Sequence, residues 1–235
     1  MFDLLCGMFE HVVCHVKMLG IAMFLIKIRK AISLVISFSC ISINAWAQTV
    51  PEIDFQPISQ EMLNNPDPQD WLMWRGGYEN WGYSPLTQIN RDNVEQLRLA
   101  WSWEFEPAAP GSNGMQVEPT VYDGVMYVRH PNEKYSAHDA KTGDLIWQYS
   151  RPLVSEVSGY ETRLTLHRGR GVFIHEDKLI SHATDGMLFA LDPRNGRLMW
   201  EAAMQDYRSG QQPSGAPVAF GGSLVVPYNC TAWTA

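Results

Sequence analysis

Short runs in which apolar and polar residues alternate predict β-strands along the second half of the chain. Three pairs of runs are each joined by two turn-forming residues: 121–128 about Asp123-Gly124, 172–180 about Glu176-Asp177, and 218–226 about Gly221-Gly222. Pairs such as Asp-Gly and Gly-Gly supply the positive φ angles that two-residue hairpin turns need. The pattern therefore predicts three successive β-hairpins, and a further strand is predicted over residues 99–105.

An eleven-residue motif follows each of the first two predicted hairpins. It runs from Ala137 to Trp147 and again from Ala190 to Trp200, a spacing of 53 residues (190 − 137). A unit of strands and turns that repeats about every 50 residues is typical of a β-propeller, in which each blade is one repeat. Since a single blade cannot bury both of its faces, the blades are expected to stack around an axis.

The residues of the motif have separate physical roles. Asp139 and Asp192 are expected to accept main-chain N–H groups inside the turn that follows, and Gly143 to take a left-handed conformation there. Trp147 and Trp200 are predicted to lie on the next strand and to reach the neighbouring blade. We expect these two rings to pack between blades rather than to contact a cofactor.

The residues before the repeats divide into a leader and an arm. Residues 48–69, which contain several Pro and Asn, predict an extended arm on the surface of the domain. Residues 89–97 predict a short helix that is capped by Asn90 or Asp92. The expected organisation is a leader (1–47), an amino-terminal arm with a short helix (48–98) and the first blades of a propeller (99–235).

The leader has the three parts of a secretory signal. Lys27, Arg29 and Lys30 precede an apolar run over 31–43, and Ala45-Trp46-Ala47 supplies small residues for a signal peptidase. Cleavage is expected after residue 47, with export to the periplasm. The run is shorter than the roughly 20 apolar residues of a membrane-spanning helix, but a retained anchor and a lipoprotein at Cys40 stay open as alternatives. Residues 1–22 precede the signal; Met23 is an alternative start, and if translation begins there, residues 1–22 are an artefact of gene prediction.

Charge and cysteine content exclude several classes of protein. The net charge of −7 argues against a nucleic-acid binder that relies on a basic face. Cys230 is the one cysteine after the leader, so no disulfide within the exported chain is expected, and neither CxxCH nor CxxC occurs. The histidines lack a metal-ligand spacing, and we interpret His138 as a packing residue. The sequence contains neither a P-loop nor a nucleophile elbow.

The two motifs resemble the tryptophan-docking motif of the quinoprotein dehydrogenases. Upstream segments look like the amino-terminal part of the methanol and ethanol dehydrogenase group: Asp70-Trp71, 83–86, 89–94, 99–102 and 118–128. The resemblance covers about residues 70–228. It implies an all-β, eight-bladed propeller that holds pyrroloquinoline quinone (PQQ) and a calcium or lanthanide ion on its axis, with about three blades in this chain.

The resemblance implies three cofactor-binding residues. Glu118 matches the family's glutamate that hydrogen-bonds the cofactor, Arg170 matches the arginine that contacts its quinone, and Ser214 matches a hydroxyl residue that binds a cofactor carboxylate. PQQ is an anionic orthoquinone, so its site needs cations and polar groups. The alternatives are a solvated carboxylate, a salt bridge between blades and an ordinary turn serine. Glu118 and Arg170 are expected to face the axis from neighbouring blades.

Some positions depart from the family pattern. The alcohol dehydrogenases have a vicinal Cys pair where this chain has Leu164 and Thr165. The family's metal-binding glutamate falls at Ala232, whose side chain has no oxygen for calcium. Three alternatives stay open: Asn229 is a weaker metal ligand, a gap in the match to the family places the ligand at another residue, or the usual metal site is lost. The catalytic aspartate is expected beyond residue 235.

The resemblance implies a periplasmic PQQ-dependent dehydrogenase that oxidises an alcohol-type substrate and passes electrons to a cytochrome c or a quinone. Because a propeller of eight blades needs roughly 400 residues, this chain is expected to be an amino-terminal fragment that is inactive alone. The alternative is a non-catalytic propeller that acts as a scaffold in envelope protein assembly. The amino-terminal motif and Glu118 favour the enzyme, whereas Leu164-Thr165 and Ala232 favour the scaffold.

Overall fold

Two four-stranded antiparallel sheets with the same strand order account for most of the strand residues. The computed structural model describes residues 53–105, 115–152, 171–206, 211–213 and 215–230, all within one unit, Thr49–Ala235. The predicted leader and its cleavage site lie outside the described residues. Within the described ranges, no helix has both the length and the apolar character needed to cross a membrane.

The first blade is a meander of four strands: β1 (Thr120–Tyr122), β2 (Val125–His130), β3 (Lys134–Asp139) and β4 (Leu145–Ser150). Asp123 and Gly124 join β1 to β2 with φ angles of 47° and 74°, so that Tyr122 pairs with Val125. Two successive positive φ angles match the twist of the flanking strands. The first predicted hairpin is therefore confirmed.

The second blade repeats this arrangement with β5 (Phe173–His175), β6 (Lys178–His182), β7 (Met187–Leu191) and β8 (Leu198–Ala203). The predicted turn at Glu176-Asp177 is confirmed, because His175 pairs with Lys178. A register shift between Ala190 and Leu191 matches the one between Ala137 and His138 in the first blade. The repeat in the sequence is thus also a repeat in the structure.

The residues after the second blade form two short strand pairs. The strands are β9 (Gln211–Pro213), β10 (Val218–Phe220), β11 (Ser223–Val225) and β12 (Tyr228–Cys230). β10 and β11 form the third predicted hairpin around Gly221 and Gly222, whose φ angles are 57° and 76°. β12 pairs with β9. All three hairpins that the sequence predicts are present.

An aspartate organises the turn between the third and fourth strands of each blade. Asp139 Oδ1 accepts two main-chain N–H groups at 2.8 Å each, and Gly143 follows with a φ of 80°. Asp192 Oδ1 accepts one such group at 3.0 Å, and Gly196 has a φ of 72°. Hydrogen bonds from the main chain hold the pKa of Asp139 below its usual range. The predicted roles of these residues are confirmed.

Trp147 connects the two blades. Its indole N–H donates to the carbonyl of Pro193 at 2.8 Å, and its side chain is buried. The ring lies on Gly196, where an added Cβ would be 2.5 Å from a ring atom. Packing of this tryptophan between blades is therefore confirmed.

Residues 99–105 do not pair as a strand within the part of the chain that the structure describes, so the strand predicted there is wrong. Trp101 instead docks on the first blade as Trp147 docks on the second. Its indole N–H donates to the carbonyl of Ala140 at 3.2 Å, and a Cβ on Gly143 would be 2.6 Å from its ring. The alternation reflects side chains that pack on a blade, and alternation alone does not supply a partner strand.

The arm is more deeply buried than the sequence predicts. It contains a helix, α1 (Gln60–Asn64), which is capped by the hydroxyl of Ser59. Ile58 and Leu63 are fully buried in the core, and the main chain of Ile58 pairs with that of Glu176 in the second blade. The prediction of an extended surface arm is wrong for this segment, because its apolar side chains reach the core.

The helix predicted over 89–97 is reduced to one 3₁₀ turn, Val94–Gln96. Asn90 accepts the N–H of Asp92 at 2.9 Å through its side chain, and Asn93 accepts the N–H of Asn90 at 2.9 Å. These asparagine side chains stabilise a turn that competes with a longer helix. The prediction that Asn90 or Asp92 caps a helix here is wrong, because the residue before the 3₁₀ turn is Asn93 and its side chain makes no capping hydrogen bond.

Candidate functional site

Glu118 lies two residues before β1 and is held by two donors. Its Oε1 accepts the indole N–H of Trp71 and, at 2.9 Å, the main-chain N–H of Arg75. The side chains of Glu118 and Trp71 are both half-buried. Two donors on one oxygen define the orientation of the carboxylate. The sequence indicates that Trp71 belongs to a family motif, but it contains no signal that Trp71 contacts Glu118.

The segment that carries Trp71 is attached to the first blade. The main chain of Trp71 pairs with Val121 in β1 through N–H···O contacts of 2.7 and 2.9 Å. Asp70 Oδ1 accepts the N–H of Asp123 in the hairpin turn at 2.9 Å. Burial raises the pKa of the Asp70 carboxyl. The indole is therefore positioned by the same strand that Glu118 precedes.

A tight turn brings the main chain of Arg75 to Glu118. A 3₁₀ turn, Trp74–Gly76, contains Arg75 at a φ of 57° and Gly76 at a φ of 87°. A Cβ on Gly76 would be 3.1 Å from the indole of Trp71, so the turn and the ring are in close contact. Glycine tolerates this left-handed conformation without steric cost. The turn thus delivers its N–H donor beside the indole donor.

The main chain of Glu118 lies against the second blade. Gly171 has a φ of 123°, and a Cβ there would be 2.7 Å from the carbonyl oxygen of Glu118. Nearby, Thr120 Oγ1 donates to the carbonyl of Val172 at 2.8 Å. Arg170 itself lies outside the described residues, but it directly precedes Gly171 in the sequence. The residue after Arg170 therefore lies beside Glu118.

The remaining predicted site residues are only partly described. Ser214, Ala232, Leu164 and Thr165 lie outside the described residues. Asn229 is in β12, where its main chain pairs with that of Gln212. Within the described ranges, no group of three or more His, Cys, Asp or Glu side chains could hold a metal ion. The cofactor and metal roles of these residues stay predictions.

A buried polar network joins the first blade to Gly215, the residue after Ser214. Arg129 Nη2 donates to Glu133 Oε1 at 2.9 Å, and both side chains are almost fully buried. Arg129 Nη1 faces His182 Nδ1 at 3.5 Å, and His182 Nε2 donates to the carbonyl of Gly215 at 2.6 Å. Burial lowers the pKa of Arg129, but the charge of Glu133, the neighbouring Tyr135 and the hydrogen bond to Glu133 together outweigh it, so the pKa is raised. The sequence contains no signal for this network, because Arg129 and Glu133 stand in the largely polar stretch 129–134.

A cavity of about 200 Å³ lies beside the first blade, lined by Trp103, Glu104, Phe105, His130, Pro131, Lys134 and Gln148. The Ser136 hydroxyl contacts Nε2 of both His130 and His138, and His138 is buried. Burial, with smaller contributions from His138 and Lys134, lowers the pKa of His130 to about 4. His130 is thus uncharged at neutral pH. The prediction that His138 is a packing residue is confirmed.

Comparison with known proteins points to one family of β-propeller proteins. The family model for the PQQ-containing glucose, ethanol and alcohol dehydrogenase β-propeller domain matches residues 71–215. A 1-butanol dehydrogenase (cytochrome c) of Thauera butanivorans is 37% identical over 157 residues, which are 65% of this chain and 22% of that protein. The matched region contains Trp71 and Glu118 as well as both docking motifs.

Two solved structures show the same fold. The quinohemoprotein alcohol dehydrogenase ADHIIG of Pseudomonas putida HK5 has a TM-score of 0.62 and 28% identity, over 74% of this chain and 25% of that one. A europium-containing methanol dehydrogenase has a TM-score of 0.61 and 28% identity, over 72% of this chain and 29% of that one. The chain thus spans less than a third of the length of each of these proteins. The chain has the repeated blades and docked tryptophans of a propeller, and the family model matches more than half of it. It therefore belongs to the PQQ β-propeller family of glucose, ethanol and alcohol dehydrogenases.

Proposed function

We propose that this chain supplies the first blades, and one side of the cofactor site, of a PQQ-dependent dehydrogenase that oxidises an alcohol-type substrate. The observation that supports this proposal most directly is the arrangement of Glu118. Its carboxylate is held by Trp71 and Arg75, and its main chain lies beside Gly171 in the next blade. A polar side chain that is held in this way before an inner strand is suited to bind a ligand on the propeller axis.

The donor set fits PQQ in its chemistry. Glu118 accepts a hydrogen bond from an N–H or O–H group, since an ionised carboxylate only accepts. Arg170, which precedes Gly171, provides a guanidinium that binds anionic or quinone oxygens through two N–H groups. Ser214, which precedes the anchored Gly215, provides a hydroxyl for a cofactor carboxylate. When it is bound, PQQ supplies the two-electron oxidising chemistry, and these residues orient it.

The metal is a separate part of the proposal. A calcium or lanthanide ion beside the cofactor is supported by the similarity to a europium-containing methanol dehydrogenase. From this chain, Asn229 is the candidate oxygen ligand, because Ala232 has no side-chain oxygen. No catalytic aspartate is assigned within this chain.

Electron transfer and location complete the proposal. A cytochrome c or a quinone is the electron acceptor, and the name of the Thauera relative is consistent with a cytochrome c. The basic residues, apolar run and Ala45-Trp46-Ala47 of the leader support export to the periplasm with cleavage before Gln48.

Titration of the full-length apoprotein with PQQ tests this proposal. The protein is supplied with calcium or a lanthanide, and binding is followed by quinone absorbance and by calorimetry. We expect binding at micromolar PQQ or below, and alcohol-dependent reduction of cytochrome c by the loaded protein. Glu118→Gln replaces an acceptor by an amide and should weaken PQQ binding by about 10-fold, or about 1.4 kcal/mol. If the wild-type apoprotein binds no PQQ with either metal, the enzyme proposal fails and a scaffold role replaces it.

A further inference from the structure

We infer that Trp71 is a positioning residue for the cofactor: its indole N–H, with the main-chain N–H of Arg75, sets which oxygen of Glu118 is offered to the ligand. The inference rests on the proposed function, in which Glu118 binds PQQ. It assigns Trp71 a role that differs from that of the tryptophans that dock between blades.

The first step is the distribution of donors on the carboxylate. Both protein donors, Trp71 Nε1 and Arg75 N, bind Oε1 of Glu118. A carboxylate has two oxygens with about four lone-pair sites in total. Because both of these donors use the same oxygen, Oε2 is the oxygen oriented for a ligand. The ligand group opposite Glu118 must then carry an N–H, an O–H or a positive charge.

The second step is the rigidity of the donor. The main chain of Trp71 pairs with Val121 in both directions, at 2.7 and 2.9 Å. Its ring lies within 3.1 Å of the Cβ position of Gly76. A side chain whose rotamer is fixed before binding loses less conformational entropy when the ligand arrives. Trp71 therefore stabilises the binding-competent rotamer of Glu118 in the free protein.

The third step is a contrast among the tryptophans of this chain. Trp101 donates to the carbonyl of Ala140, and Trp147 donates to the carbonyl of Pro193. In both contacts an indole N–H donates to a main-chain carbonyl, and both hold the ring in its packed position on a blade. Trp71 instead donates to a carboxylate side chain, which is a stronger, charge-assisted hydrogen bond. An aromatic ring alone would satisfy the contact with Gly76, so the indole N–H serves Glu118.

Trp71→Phe tests the inference, since it keeps an aromatic side chain at position 71 and removes the indole donor. We expect the dissociation constant of PQQ, measured by calorimetry on the full-length apoprotein, to rise about 10-fold. Trp101→Phe is the matched control, because it also removes one indole hydrogen bond but lies away from Glu118. The control should lower the thermal midpoint of the apoprotein by a similar amount and leave the PQQ affinity within about 2-fold.

A double-mutant cycle with Glu118→Ala, which removes the oxygen that accepts from Trp71, shows whether Trp71 acts through Glu118. If it does, Trp71→Phe should change the PQQ affinity by less than about 2-fold in the Glu118→Ala background. Two results overturn the inference: an unchanged 10-fold effect in that background, or no effect of Trp71→Phe in the wild type. In either case, PQQ binding by the wild type still upholds the proposed function. Absence of PQQ binding by the wild type overturns both.

Discussion

The indole of Trp147 in β4 donates to the carbonyl of Pro193 in the second blade and covers Gly196 in the same turn. One residue of the first motif thus packs on the turn of the second. Trp101 makes the equivalent contact with Ala140 and Gly143 one blade earlier. Each docking turn has a glycine where the ring lies, because any side chain would occupy the volume of the ring.

Removal of the ring should show how much this contact stabilises the protein. Trp147→Ala is expected to lower the free energy of unfolding of the full-length protein by about 3–5 kcal/mol, since the buried ring leaves a cavity. Trp147→Phe retains most of the ring and loses the hydrogen bond to Pro193, so its cost should be about 1–2 kcal/mol. Denaturant unfolding provides both values. A loss below about 1 kcal/mol for Trp147→Ala would contradict burial between blades.

Gly196→Ala should be more destabilising than Gly124→Ala. Both glycines have similar positive φ angles, 72° and 74°, so both alanines carry a similar backbone strain of about 1 kcal/mol. At Gly196 the new Cβ would also be 2.5 Å from the ring of Trp147, whereas at Gly124 nothing lies within 4 Å. We expect a further loss of about 1–3 kcal/mol at Gly196.

Trp147→Phe provides a check on that comparison, because the smaller ring gives the alanine more room. Gly196→Ala should cost less in the Trp147→Phe background than in the wild type when unfolding is measured under the same conditions. Equal costs at Gly196 and Gly124 in the wild type would show that the ring moves away without penalty.

The blades could be predicted because their determinants are local in the sequence. Asp123-Gly124 defines a two-residue turn by its own conformational preferences, and Asp139 binds N–H groups two and three residues away. Because these local turn and strand patterns repeat along the sequence, they predict a propeller before any contact between blades is known. The strand predicted over 99–105 failed because its alternating aromatic side chains contact the first blade, and alternation alone does not supply a partner strand.

The environment of Glu118 depends on contacts that local sequence does not encode. Trp71 and Glu118 are 47 residues apart, and they meet because the arm pairs with β1. The burial of Ile58 and Leu63 has the same origin, since both depend on where the arm crosses the blades. The resemblance to a family could indicate that Glu118 binds the cofactor, but not which residues hold it.

The pKa of His130 predicts a loss of stability in mild acid. Burial lowers this pKa to about 4, below the ordinary value of 6.5. As the pH falls from about 6.5 to 4, the unfolded chain binds a proton at this position that the folded chain does not bind. The free energy of unfolding therefore falls by about 1–3 kcal/mol across this pH window. Above pH 6.5 the His130 imidazole is uncharged in both states, so it causes no loss of stability.

His130→Gln removes this titration and keeps a polar partner for the Ser136 hydroxyl. The variant should lose less stability than the wild type between pH 7 and pH 4.5, as measured by urea unfolding at closely spaced pH values. Carboxyl groups that titrate in the same range are common to both proteins, so the difference between the two curves isolates His130. Parallel curves would show that the imidazole is already accessible to protons in the folded state.

The buried pair of Arg129 and Glu133 is predicted to cost most when only one member is removed. Glu133→Gln leaves the guanidinium of Arg129 buried without an opposite charge at position 133. Breaking a buried ion pair in this way costs about 3–5 kcal/mol of stability. Arg129→Met together with Glu133→Gln removes both charges. The double variant should therefore be more stable than Glu133→Gln alone in denaturant unfolding. If the double variant is instead the less stable of the two, the packing of Arg129 against His182 and Tyr135 outweighs its charge.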